Sequence, residues 1–276
     1  MKTALCLSGY LSSPALQRTG GIDVAMRGHQ YINERIMDEN TDVFIHTWDE
    51  VNFELIKKLY QPKQIELQKQ KSFEKELNDI DVDWFGNSQY SGASIPRDLS
   101  MNFSRKKSVE LIDDDYDRVV LARFDLGQRG KEHRPRYCAA NFRFNDEFDS
   151  KSLYSLFWDE FNHGFPDHWF YSGQKVMEKI TSLYDKLFEY YQPESDFVQS
   201  VTQGWFDSNS ADDYSNEIFK PQDQKTPFTQ RKVFPKWACI DNHKTYKWHI
   251  KQMELYDTCK FIDCSSEDWP DGIRSR

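Results

Sequence analysis

The sequence predicts an α/β protein: a central, mostly parallel sheet flanked by helices, followed by a more irregular C-terminal region. Three observations predict it. Apolar runs alternate with helical patterns across residues 3–67 in the order strand, helix, strand, helix, strand, which is how parallel strands joined by crossover helices read. Arg118-Val119-Val120-Leu121-Ala122-Arg123 is the strongest buried-strand signal in the chain. With 20 Phe, 14 Tyr and 8 Trp in 276 residues, the chain carries aromatic material that a disordered chain lacks.

In chain order, Thr3-Ala4-Leu5-Cys6-Leu7 is a first strand ending in the turn signal Ser8-Gly9-Tyr10. A helix is predicted over 23–38, with Asp23 as its cap and Val24, Ile32 and Ile36 on one face. Residues 42–47 are β-branched and aromatic, a second strand. A helix over 52–60 stops before Pro62, and residues 64–67 alternate as a third strand. Residues 68–95 are polar and irregular, a surface insertion placed to cover a site. A helix over 95–113 precedes the strand at 118–123, which runs into Phe124-Asp125-Leu126-Gly127. Strands follow at 153–158 and 168–171, then one amphipathic helix over 173–191 with Ser172 as its N-cap, and a shorter helix over 194–206. Residues 209–230 read as a loop and 232–240 as a last strand; alternating aromatics after 243 suggest a surface strand. Without repeats or a low-complexity linker, the chain reads as one domain over 1–276, with an α/β half (1–125) and a more irregular half (126–276).

Composition excludes several classes. Lys and Arg number 36 against 45 Asp and Glu, a net charge of −9, which speaks against a nucleic-acid partner because phosphate neutralisation needs clustered cations. No apolar run reaches the roughly 18 residues of a membrane span, and the opening apolar stretch reads as a strand rather than a signal sequence. Five scattered cysteines without a CxxC imply reduced thiols, hence a cytoplasmic location. Neither GxGxxG nor GxxxxGK[ST] occurs. An aspartyl phosphatase would need a carboxylate after strand one, where Ser8-Gly9-Tyr10 has none, and a nucleotidyltransferase a Gly-rich basic loop.

Four constellations carry candidate chemistry. Ser8, Gly9 and Tyr10 stand at the carboxyl end of strand one, the ligand edge of an open α/β sheet. Arg123 and Asp125 stand at the end of the 118–123 strand: a carboxylate for Mn²⁺ or Mg²⁺ and a guanidinium for phosphate, or else an ion pair capping the strand. Arg105, on the preceding helix, is near enough in the predicted fold to help. Asp167-His168-Trp169 sets a carboxylate and an imidazole beside aromatics that suit a sugar ring, with Asp167 a candidate general base whose pKa aromatic desolvation would raise; the competing reading is helix capping and core. His243 and Lys247 offer a metal ligand and a diphosphate-neutralising ammonium. The acidic run 113–115 contains a DxD but precedes the buried strand, at the wrong end of the sheet, and His29 and His46 read as structural histidines.

The segments ALCLSGY, DVFIHTWD, YDRVVLARFDLG and DHWFYSG, in that order, resemble GT-A-fold nucleotide-sugar glycosyltransferases, of the kind that build bacterial and viral surface polysaccharides. The resemblance covers residues 1 to about 190. It implies a UDP- or GDP-sugar donor, a glycan or small-molecule acceptor, Mn²⁺ or Mg²⁺, and a DxD after the fourth strand. That motif falls on Arg123-Phe124-Asp125, so Arg replaces the first carboxylate and Asp125 remains to ligate metal. It also implies His243 as a late metal ligand and Lys247 as a phosphate contact. The alternative is a non-catalytic carbohydrate- or nucleotide-binding protein on the same fold.

Overall fold

β1 (Thr3–Gly9) lies at the centre of the sheet, with Thr3 to Ser8 all buried. The computed structural model describes residues 1–11, 21–78, 80, 95–127, 142–156, 165, 167–192, 194–199 and 242–262. Among these, β1, β2 (Thr41–Thr47), β3 (Gln64–Leu67), β4 (Arg118–Arg123), β5 (Leu153–Leu156), β6 (Trp169–Ser172) and β7 (Cys259–Ile262) form one sheet in the order β3-β2-β1-β4-β6-β5-β7. β1 pairs in parallel with β2 and β4, β2 with β3, and β5 with β7; β6 runs antiparallel between β4 and β5. The sheet is therefore mostly parallel, as expected.

Two-residue alternation divides the sheet into two cores. Leu5, Leu7, Val43, Ile45, Val120, Ala122, Trp169 and Tyr171 face one side, where α1 (Gly21–Arg35) and α2 (Phe53–Tyr60) bring Ala25, Ile32, Ile56 and Tyr60. Ala4, Cys6, Phe44, Val119, Leu121 and Phe170 face the other. There α4 (Ile95–Glu110), α5 (Gln174–Thr181), α6 (Leu183–Tyr190) and α7 (Asn242–Gln252) pack through residues such as Leu99, Ile180, Leu187 and Ile250. A short helix, α3 (Glu74–Asn78), occupies part of the predicted 68–95 insertion.

Chain order makes the site. From central β1 the chain steps outward through β2 to β3, then returns across the opposite face through α4 to pair β4 with the other side of β1. The carboxyl ends of β1 and β4 thus flank a topological switch point, the crevice where open α/β sheets take ligands. Register puts Ser8 opposite both His46 and Arg123 there.

The structure departs from the sequence reading in several elements. Residues after 243 form helix α7, not a strand: Tyr246 and Trp248 alternate with polar residues, but Asn242, Thr245, Tyr246, His249 and Ile250 make a buried stripe at helical spacing. The predicted 173–191 helix is two helices broken at Ser182, where Thr181 and Ser182 turn their hydroxyls back onto the carbonyls of Met177 (3.0 Å) and Lys179 (2.7 Å). Ser172 is no cap: it ends β6 and donates to Ser152 O at 2.6 Å, while Gly173 takes the N-cap place. α2 ends not at Pro62 itself but through Gln61, whose left-handed φ of 43° closes an N–H onto Lys57 O. Most of the predicted 194–206 helix, the 209–230 loop and the 232–240 strand lie outside the described residues.

Candidate functional site

At the switch point β1 ends in Gly9 with φ +96°, a conformation that favours glycine, and among the described residues a Cβ there would meet nothing within 4 Å. The turn is pinned from both sides. Gly9 N–H donates to Ser104 Oγ (3.1 Å), Thr47 Oγ1 donates to Gly9 O (2.7 Å), and the Leu11 N–H reaches the buried Asp49 carboxylate (3.1 Å). The Gly9 amide, expected to face a ligand, is therefore committed to α4. What the turn offers a ligand is open space and the exposed Tyr10, whose hydroxyl donates to Gln70 at 3.2 Å.

Across the crevice, Arg123 ends β4 and grips Asp125 in a fork, Nε to Oδ1 at 2.8 Å and Nη2 to Oδ2 at 2.5 Å. The two side chains keep 31% and 27% of their surface exposed, so the pair faces the crevice mouth. The strand ends in a turn because Leu126 N–H returns to Arg123 O and Gly127 follows at φ +74°. A Cβ on Gly127 would fall 2.3 Å from Tyr31 Cβ, so the Asp-Leu-Gly sequence at 125–127 seats Asp125 by a turn that admits only glycine at its end.

Asp167 closes the site from the turn before β6 and is buried. Its carboxylate accepts from Asn242 Nδ2 (3.0 Å), meets Arg123 Nη1 at 3.5 Å through both oxygens, and lies 4.0 Å from His243 Nδ1. Its carbonyl accepts from Arg105 Nη2. Burial acts to raise the Asp167 pKa, but His243, Arg123, His168 and Arg105 outweigh it and hold the carboxyl well below its ordinary range. The upward shift expected from aromatic neighbours is thus reversed. Burial lowers the His168 pKa to about 4, so its imidazole is uncharged at neutral pH. Burial likewise opposes ionisation of Asp125, and the Arg123 guanidinium prevails and lowers its pKa.

The structure thus brings Ser8, Gly9, Arg105, Arg123, Asp125, Asp167, His168 and His243 to one end of the sheet. His243 starts α7, and its Nδ1 stands 2.9 Å from Phe165 O. Trp169 and Lys247 are placed elsewhere. Trp169 is buried in the α1–α2 core, edge-on to Phe142 at 4.9 Å and stacked on Tyr171 at 5.9 Å. Lys247 sits one turn beyond His243 with its Nζ 5.9 Å from the Tyr256 ring, where burial first and Lys251 second lower its pKa to about 7. Sequence reasoning missed Asn102, Asn242 and Tyr246, which anchor the Asp167 turn. The signal was a polar stripe at helical spacing, Asp98, Asn102 and Arg105, which reads equally as a solvated face.

The histidines and the acidic run behave as expected of structural groups. His29 Nε2 lies 2.8 Å from Leu59 O, His46 is fully buried with Nδ1 2.7 Å from Ser104 Oγ, and the acidic run is engaged by Lys2 at Asp114 and Lys63 at Asp113.

Among the described residues, no group of three His, Cys, Asp or Glu side chains is gathered to hold a metal ion. Of the two expected metal ligands, Asp125 has both oxygens in the Arg123 fork and His243 has its Nδ1 2.9 Å from Phe165 O. No helix among the described residues is long and apolar enough to cross a membrane. No protein-family model, no curated protein and no solved structure matches the chain.

Proposed function

We propose that the chain is a GT-A-like glycosyltransferase that moves a sugar from a UDP- or GDP-sugar to a hydroxyl of a glycan or small-molecule acceptor, in the cytoplasm, with Mn²⁺ or Mg²⁺ assistance. The observation that carries the reading is the meeting of three features at the switch point: an open glycine turn on β1, the Arg123–Asp125 pair on β4, and the buried Asp167 carboxylate beside them.

The charges suit a diphosphate leaving group. Two guanidiniums, Arg105 and Arg123, face two carboxylates, Asp125 and Asp167, so the cluster has no surplus positive charge of its own. Asp125, with His243 as second ligand, would hold the divalent cation, which would supply the charge that stabilises a departing diphosphate. Arg123 then serves the phosphates directly, at the cost of its fork to Asp125. Asp167, held ionised, accepts hydrogen bonds from sugar or acceptor hydroxyls and orients the attacking oxygen; its lowered pKa makes it a weak base, suited to a proton lost late in the displacement. His168, whose carbonyl accepts from the Arg123 N–H at 3.3 Å, adjoins the same end of β4.

The second reading, a non-catalytic binder of carbohydrate or nucleotide, is favoured by the same fork, since Arg123 occupies the carboxylate that a metal would take. One experiment separates them. Thermal shifts with UDP- and GDP-sugars, with and without Mn²⁺, identify the ligand; release of nucleoside diphosphate from that ligand follows. Binding with steady release supports the transferase. Binding without release under any acceptor supports the binder; no shift with any nucleotide refutes the transferase, and no shift with free sugars either refutes the binder as well.

A further inference from the structure

Beneath the Asp167 turn, five buried groups form two hydrogen-bonded arms that start at Arg105 and end at Asp167. The short arm is direct: Arg105 Nη2 donates to the Asp167 carbonyl. The long arm crosses between α4 and α7. Arg105 Nη1 donates to the Tyr246 hydroxyl (2.6 Å), Tyr246 donates to Asn102 Oδ1 (2.7 Å), Asn102 Nδ2 donates to Asn242 Oδ1 (3.2 Å), and Asn242 Nδ2 donates to Asp167 Oδ2 (3.0 Å). All five residues are buried.

The direction of the long arm is fixed by chemistry at both ends. A guanidinium only donates and an ionised carboxylate only accepts. A hydroxyl that accepts from Arg105 turns its own proton to Asn102, and an Asn102 whose oxygen takes that proton presents N–H onward. A second bond fixes the same orientation, since Asn102 Nδ2 also donates to the Asp98 carbonyl one turn back at 2.8 Å. Asn242 must then show its oxygen to Asn102 and its N–H to Asp167. Turned over, it would set a carbonyl lone pair against a buried carboxylate, a repulsive contact in a medium of low dielectric.

We propose that Tyr246 is a positioning residue: acting through Asn102, it sets the amide of Asn242 and so holds the Asp167 carboxylate toward Arg123. The proposal rests on the reading of Asp167 as part of the reacting side of a glycosyltransferase site. It adds a role for residues that touch neither donor nor acceptor. The ring of Tyr246 packs on Phe170 at 5.0 Å, so Tyr246→Phe keeps that contact and removes only the hydroxyl.

The matched control is Tyr191→Phe. Tyr191 is also buried, and its hydroxyl bonds Asp98 Oδ2 and Thr245 Oγ1, each at 3.2 Å, outside the long arm. Two readouts are taken on both variants: the side-chain amide NMR signal of Asn242 with its solvent exchange, and kcat against KM for the nucleotide sugar. In Tyr246→Phe the Asn242 amide signal shifts and exchanges faster, and kcat falls on the order of 10- to 100-fold with donor KM unchanged, as expected for a misplaced group. Tyr191→Phe lowers the melting temperature to a similar degree and leaves both readouts at wild-type values. Asn102→Ala breaks the same arm one link later and gives the same amide change, which keeps the test open should Tyr246→Phe fold poorly. An unmoved Asn242 signal in folded Tyr246→Phe, an unmoved signal in Asn102→Ala, or an equal kcat loss in Tyr191→Phe overturns the proposal. If the wild type turns over no nucleotide sugar, it is the transferase reading that fails, and the Asn242 signal still decides the role of Tyr246.

Discussion

Asp125→Asn has opposite consequences with and without metal. In the free protein the Arg123 fork to Asp125 occupies the guanidinium that is assigned to phosphate. The substitution changes the cluster from two guanidiniums against two carboxylates to two against one. A unit charge at about 4 Å is worth about 1 kcal/mol in bulk water and about 4 kcal/mol at the effective dielectric near a protein surface. The lower figure alone corresponds to roughly a fivefold gain in nucleoside-diphosphate affinity when no divalent cation is present. The fork itself adds little to stability, because both side chains remain about 30% exposed and such pairs contribute about 0–1 kcal/mol. The variant should therefore melt close to wild type. With Mn²⁺ the sign reverses, since the cation loses its carboxylate: the metal-dependent gain in affinity disappears and turnover drops. Titration calorimetry of UDP and GDP in EDTA and in Mn²⁺, on wild type and variant, reads both signs. Weaker binding by Asp125→Asn in EDTA refutes Arg123 as the phosphate-binding group; an undiminished Mn²⁺ response refutes Asp125 as the ligand.

Four further outcomes are expected. Gly127→Ala forces a Cβ to within 2.3 Å of Tyr31 in a left-handed turn and should cost on the order of 1–3 kcal/mol in denaturant melts, with nucleotide affinity falling because the same turn seats Asp125. Leu5→Ala, at a fully buried place in central β1, should cost about 2–5 kcal/mol; a loss under 1 kcal/mol would contradict the two-core packing. His249 is buried, with a pKa lowered by burial to about 4 from 6.5, so its neutral form favours folding: stability is full above pH 6.5 and falls by up to about 3 kcal/mol as pH drops toward 4, and His249→Gln should flatten that slope. Asp167 has a depressed folded pKa, so its contribution is present above the ordinary carboxylate pKa and lost as pH falls below it; Asp167→Asn should lower neutral-pH stability and blunt acid unfolding, and an unchanged acid limb would exclude the pairing with Arg123 and Asn242.

The first half of the fold was legible because its strands are buried on both faces. Residues 3–7, 42–47 and 118–123 are apolar runs that no surface helix tolerates, and Gly9 and Gly127 mark turns that sequence alone can place. Arg123, Asp125 and Asp167 were legible for the same reason, since each follows or precedes such a run. Tyr246 was not, because α7 hides its buried stripe within a sequence that also alternates, and tertiary contact with α4 decided between the two periods. Asn102 and Asn242 are invisible without the fold: a buried amide and an exposed one are the same letter, and only the partner 140 positions away distinguishes them. Trp169 shows the converse error, an aromatic near a carboxylate in sequence that β6 carries, with Tyr171, into the α1–α2 core while Asp167 stays in the turn before the strand.

The long arm also sets when the protein becomes competent during synthesis. Arg105 and Tyr246 are separated by 141 positions, and Asn102 and Tyr246 by 144. β1, β2 and β3 can pair soon after they leave the ribosome, for Thr3 meets Thr41 and Phe44 meets Gln64, and β4 joins once Arg118 reaches Thr3, whereas the contacts that anchor Asp167 close a loop spanning half the polypeptide. Until α7 arrives, the nascent body holds a guanidinium on α4 with only the carbonyl of the Asp167 turn to receive it. Docking of α7 is then the event that both buries that charge and completes the site, so a ribosome-stalled chain ending before α7 should show protection of β1 to β4 by hydrogen exchange and no affinity for nucleotide.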